Sequence, residues 1–167
     1  ALRLPGSTAA FDAGSAVRSG VGALRAALRS ADSSVLVTAG DIRTGPANSP
    51  DESAGGDAGT AILVGDDTAG SIVAEYLGGA SATREFIDRW RTPGDARTKA
   101  WEERFSETQY LQLGLTAWGE ALASVGLTAD EVDDVLIAGP HARANGGVAK
   151  KLGRSVAIEH ASTIGNA

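Results

Sequence analysis

Hydrophobic positions fall in short blocks along this chain, and the spacing inside each block separates helices from strands. Ala10-Phe11-Asp12-Ala13 reads as a short strand that runs into the small-residue turn Gly14-Ser15-Ala16. Val17, Val21, Leu24 and Leu28 then recur at helical spacing, with Arg18, Arg25 and Arg29 on other faces, which predicts a helix ending near Ser30. Its first turn is made of small residues and permits close backbone approach. Ser34 to Ala39 and Thr60 to Val64 are continuous apolar runs, the pattern of buried strands, joined by a polar loop from Pro46 to Gly56. Ser71 to Leu77 reads as a further strand, so three strands are expected to cluster in the middle of the chain.

The second half changes character. Arg84 to Phe105 is dense in charge, with Trp90, Trp101 and a Pro93-Gly94 turn, and is expected to be a mixed helix and loop excursion. Leu111, Leu115, Trp118 and Leu122 space at three and four, which predicts a helix over Thr108 to Val125. Thr128-Ala129-Asp130-Glu131 has the form of a capping box, expected to start a short helix. Val135 to Ala138 is expected as a buried strand ending at Gly139-Pro140-His141. A short helix over Gly146 to Leu152 should stop at Gly153. Val156 to Ile158 reads as a last strand. Strands alternating with helices predict an α/β domain with a mixed or parallel sheet.

Composition narrows the function classes. With 167 residues, 43% hydrophobic and 22% charged, the chain has the make-up of a globular domain with its own core. Aromatics are 5%, so small aliphatics must build that core, and the 22 glycines are scattered as in tight turns. The net charge is −6 and no Lys/Arg stripe is present, so nucleic acid is not expected as a partner. No apolar run approaches the roughly 18 residues of a membrane span, and no signal peptide is evident. There is no cysteine, which excludes disulfides, zinc-thiolate sites and a cysteine nucleophile, and fits a cytosolic setting. There is also no methionine, and the chain stops directly after a loop motif, so a fragment is expected.

Candidate chemistry lies at the element ends. His141 follows a predicted strand, where ligands bind in open α/β sheets. It reads as a carbonyl donor, as an acid or base, or as a plain surface-loop histidine. His160 has a similar position but no motif around it, which favours a structural role. Asn166 could donate to an oxyanion or orient a water, or simply make a Gly-Asn turn. The helix start near Ala16 favours an anion such as a thiolate, yet Val17, the residue best placed there, has no reactive group. Ser15 and Ser19 read as capping or packing residues. Asp41, Arg43, Glu52 and Asp57 match no hard-cation loop and read as turn or salt-bridge residues, so no metal is expected.

Taken together, these segments resemble one family. Phe11 to Val17 with Gly20 and Ala23-Leu24 is similar to the strand-to-helix nucleophile turn of thiolase-fold condensing enzymes. Ala39 to Arg43, then Pro46, Ser49, Glu52 and Gly56 to Gly65, resembles the middle of hydroxymethylglutaryl-CoA synthases. So does Asp88-Arg89-Trp90-Arg91 with Gly94, Arg104 to Glu107 and Tyr110. Pro140-His141 with Asn145 and Ala149 to Gly153 resembles the catalytic-histidine segment, shared with ketoacyl synthase III enzymes, and Gly165-Asn166 resembles the asparagine loop. The resemblance implies a thiolase-like layered αβαβα architecture, here incomplete. Residues 1–68 would be the later part of the first half and residues 69–167 most of the second. It implies His141 and Asn166 as the catalytic pair and Val17 at the position of the acylated cysteine. Valine cannot form a thioester. The implied ligand is a coenzyme A thioester, bound without covalent attachment. The implied partners are an acyl-CoA and a second subunit, as homodimer or as heteromer with a thiolase-like or OB-fold protein, with residues Ala10 to Gly14 as the candidate interface. Three roles follow: a protein that binds acyl-CoA or a partner without acylation, a non-covalent C–C lyase or acyltransferase using His141 and Asn166, and a structural pseudo-subunit.

Overall fold

The computed structural model describes residues 2–14, 18–30, 34–42, 44–49, 52–53, 56–90, 92–97, 99–139 and 141–153. Val17, Ser15, Arg43, His160, Asn166 and the predicted strand at Val156 to Ile158 lie outside the described residues. The chain divides into two compact units, Ala1–Ala39 with Gly59–Glu75, and Gly40–Ala58 with Tyr76–Ala167.

The first unit holds helix α1 (Ser19–Leu28) and most of strands β1 (Val35–Asp41) and β2 (Ala58–Val64), which pair as a two-stranded sheet. The helix and both strands stand where the apolar spacing predicts them. Ala27 of α1 and Val37 of β1 are buried. A Cβ built on Gly20 would stand 3.6 Å from the Ala39 Cβ, so the small first turn of α1 does bring the helix against the strand. Two expected strands are absent. Residues 8–14 and 71–77 have no regular secondary structure. Val73 is wholly exposed, and β2 itself is exposed along most of its length. The apolar run of β2 is a strand without being buried, because a two-stranded ladder does not cover its faces.

The second unit carries strands β3 (Arg89–Trp90) and β4 (Lys99–Ala100) and helices α2 (Glu103–Val125) and α3 (Ala142–Leu152). β3 and β4 form an antiparallel hairpin, with Arg89 opposite Ala100 and Trp90 opposite Lys99. The charged excursion is therefore a hairpin followed by helix, not a mixed helix and loop. Its turn is fixed by Gly94 at φ 90° and by the Lys99–Asp95 ion pair at 3.1 Å. The Trp90 and Trp101 indoles stand 6.5 Å apart beside it.

Helix α2 starts five residues earlier than its apolar spacing indicates. It ends at Gly126, φ 69°, where Leu127 N–H reaches the Leu122 carbonyl and Gly126 N–H the Ala123 carbonyl. Both bonds satisfy carbonyls that the helix end would otherwise leave unpaired. The Thr128 box is present: the Thr128 N–H and hydroxyl both donate to the Glu131 carboxylate at 2.8 Å. It opens a single 3-10 turn, Ala129–Glu131. Only Val135 of the expected strand at Val135 to Ala138 makes a bridge; it is buried, while Leu136 beside it is exposed. Helix α3 ends at Gly153, φ 65°, as the glycine predicts, with Lys150 and Lys151 in its last turn, where cations are favoured. It begins at Ala142 rather than near Gly146.

Helices α2 and α3 pack on one another and supply the core of this unit. Tyr110 and Gly114, one turn apart on α2, face His141 and Val148. Ser106, a further turn back on the same stripe, is buried. At the rim, Arg143 of α3 pairs with Glu107 of α2 at 3.5 Å.

Candidate functional site

His141 is the residue on which sequence and geometry converge. It is the N-cap of α3, in extended backbone conformation, and its carbonyl accepts the first helical bond from Asn145 N–H at 3.0 Å. Its side chain caps the same turn: Nδ1 accepts the Ala144 N–H at 3.2 Å. Helix starts leave backbone N–H groups unpaired, and a side-chain acceptor at the N-cap satisfies one of them. This is why the helix starts at Ala142.

That bond decides what the imidazole can do. A ring nitrogen that accepts a hydrogen bond carries no proton, so the proton resides on Nε2. Nε2 is then a donor. It is buried and has no hydrogen-bond partner among the described residues, in a residue only 6% exposed. Buried donors in native proteins are nearly always paired, and an orphan calls for an explanation. A ligand oxygen is one.

The surroundings of His141 come from three elements. The Tyr110 ring of α2 lies 6.3 Å from the imidazole, inclined at 52°. The Tyr110 hydroxyl donates to Asp88 Oδ2 at 2.7 Å, and Phe86 packs edge-on against Tyr110 at 5.6 Å and against Phe105 at 5.9 Å. Asn145, one turn into α3, donates from Nδ2 to the Gly139 carbonyl at 3.0 Å and so ties the helix to the segment that leads into His141. Asp88 and Tyr110 were not singled out from sequence for any role. Both stand in segments that carry the family resemblance, and that was the available signal.

The other predicted residues are placed as follows. Glu52 accepts the Asn48 N–H at 2.5 Å within its own loop, a turn role as expected. Asp57 makes an interaction of its own. Among the described residues no group of His, Cys, Asp and Glu is arranged to hold a metal ion. None of their helices is long and apolar enough to cross a membrane. Val17 and Asn166, the other two members of the predicted site, fall outside the described residues.

Comparison with known proteins places this geometry in a fold. No protein-family model and no curated protein matches the chain. Among solved structures, a crystal structure of HMG-CoA synthase complexed with CoA is similar, with a TM-score of 0.51 and 25% sequence identity over 65% of this chain. The match covers 28% of that protein's chain, so this sequence spans less than a third of its relative. The fold is thiolase-like α/β, and the described helices and strands represent a part of that architecture.

Proposed function

We propose that this chain is a thiolase-like protein of the hydroxymethylglutaryl-CoA synthase type that binds an acyl-CoA and is not acylated on cysteine. The observation that carries the reading is the buried Nε2 of His141, which has no hydrogen-bond partner among the described residues. A donor shielded from bulk solvent suits a thioester carbonyl, whose oxygen gains negative charge when the carbonyl is attacked or enolised. The CoA in the similar HMG-CoA synthase structure supports a coenzyme A thioester as the ligand class. Asn166 is the second donor in this reading, and Val17 occupies the nucleophile position. A chain without cysteine has no thiolate to acylate. Residues 1–68 then belong to the first thiolase-like half and residues 69–167 to the second.

A second reading rests on the same nitrogen. A donor that stabilises a thioester enolate would also serve non-covalent C–C cleavage or acyl transfer, with His141 and Asn166 as the working groups.

Calorimetric titration with acetyl-CoA and with free CoA tests the proposal. The two ligands differ in the carbonyl that His141 would engage. Wild-type protein should prefer acetyl-CoA by about tenfold, the equivalent of one net hydrogen bond. His141→Asn retains a good N-cap acceptor and removes the imidazole donor. It should bind both ligands equally. Failure of the wild type to bind either ligand, or an unchanged preference in the variant, would reject the reading.

A further inference from the structure

We infer that Asp88 and Tyr110 are positioning residues that hold the His141 imidazole in the orientation in which Nδ1 caps α3 and Nε2 carries the proton, and that the β3–β4 hairpin exists in part to deliver Asp88. The inference rests on the proposed use of His141 as a donor.

The cap bond alone is a weak clamp. An N–H to imidazole nitrogen distance of 3.2 Å is at the long end of the hydrogen-bond range, so this bond on its own holds the ring only weakly. Something must block the ring flip, which would set Cδ2 where Nδ1 stands and so lose the cap bond. Tyr110 is the aromatic neighbour of the imidazole. Its own orientation is fixed at both ends. Phe86 packs edge-on against the ring, and the hydroxyl is bound to a carboxylate at the short distance of 2.7 Å. Charged acceptors make such bonds stronger than neutral ones.

Asp88 is fixed in turn. Its backbone carbonyl accepts the Trp101 N–H at 2.6 Å, immediately outside the ladder that pairs Arg89 with Ala100. The hairpin thus sets the Asp88 backbone, the Asp88 carboxylate sets the Tyr110 ring, and the ring sets the imidazole. A carboxylate is a familiar orienting group for histidine. Here no bond between Asp88 and His141 is formed, and a tyrosine stands between them.

The test reads the imidazole directly. In a His160→Gln background His141 is the sole histidine, and long-range ¹H–¹⁵N correlation spectra of uniformly labelled protein report its tautomer. The parent should show one species protonated at Nε2. Tyr110→Leu should give a mixture in which the second tautomer or ring-flipped form is a substantial fraction. Tyr110→Phe keeps the ring but frees it, and should fall between the two. Asp88→Ala should match Tyr110→Phe, while Asp88→Asn, whose amide oxygen can accept the same phenol proton, should return to the parent pattern. A Tyr110→Leu spectrum identical to the parent overturns the inference. If Tyr110→Leu does not fold, Asp88→Ala decides, and a parent-like imidazole there overturns it. Acetyl-CoA titration separates this idea from the one it rests on. Tautomer mixing in a protein that binds no acetyl-CoA supports the positioning role and rejects the thioester reading. Binding with an imidazole indifferent to Tyr110 does the reverse.

Discussion

Two glycines on one helix allow the α2–α3 contact to be weighed against helix propensity. Gly114 and Gly119 both lie inside α2, and replacing a helical glycine by alanine gains about 1 kcal/mol in propensity. A Cβ at Gly119 meets nothing within 4 Å, so Gly119→Ala should deliver that gain, a rise of about 2–4 °C in melting temperature for a chain of this length. A Cβ at Gly114 would stand 3.0 Å and 3.3 Å from the two methyls of Val148. Val148 is buried and β-branched, so its side chain has essentially one helical rotamer and cannot turn aside. Overpacking of this kind costs about 1–3 kcal/mol. Set against the same propensity gain, Gly114→Ala should range from neutral to destabilising by about 2 kcal/mol. Thermal and urea denaturation followed by circular dichroism measures both variants. The double mutant with Val148→Ala completes the cycle: without the methyls, alanine at 114 should recover most of the gain seen at 119, and the coupling should exceed about 0.5 kcal/mol. Equal stabilisation by the two glycine replacements, or zero coupling with Val148, would refute the packing of α2 on α3 at this point.

Two other perturbations address the segments that flank the site. The Glu131 carboxyl is held below its ordinary pKa, first by the Thr128 N–H and then by the Thr128 hydroxyl. A depressed folded-state pKa means that its contribution to stability is full above the unfolded glutamate value near about 4.3 and is lost as pH falls through the folded value. An NMR titration should place the Glu131 midpoint below that of a free glutamate, and Thr128→Val should move it partway back; a midpoint at or above the free value would contradict the box. Asn145→Ala removes the bond to the Gly139 carbonyl and leaves that half-buried oxygen short of a donor. It should destabilise the protein by about 1 kcal/mol and increase amide exchange between residues 139 and 145, both read by exchange mass spectrometry.

Much of this fold was legible in the sequence where a single residue type carries a single backbone demand. Gly153 and the Thr128-to-Glu131 box mark element ends by local chemistry, and both act where they stand. The apolar runs of β1 and β2 were also legible as strands. Their burial was not, because burial depends on what lies across the sheet. Ser71 to Leu77 failed for the same reason: an apolar run with no partner strand has no ladder to join. The β3–β4 hairpin leaves no pattern in the sequence because each strand is two residues long, too short for any alternation to register. The apolar run before His141 predicts a residue just beyond a strand. His141 is instead a helix cap, because its ring nitrogen replaces the side-chain oxygen normally sought at that position. The Asp88–Tyr110 pair spans 22 residues, and periodicity says nothing about contacts between elements.

The cap on α3 has a consequence for how the molecule can be watched. The Ala144 amide ends on Nδ1, so its hydrogen exchanges with solvent only when that bond opens. An acceptor placed on the far nitrogen polarises the ring and makes Nδ1 the stronger base in the hydrogen bond. By reciprocity, whatever tightens the backbone bond also sharpens the donor. The exchange rate of one main-chain hydrogen thereby becomes a meter of what the imidazole holds, readable without a label on either ligand or side chain.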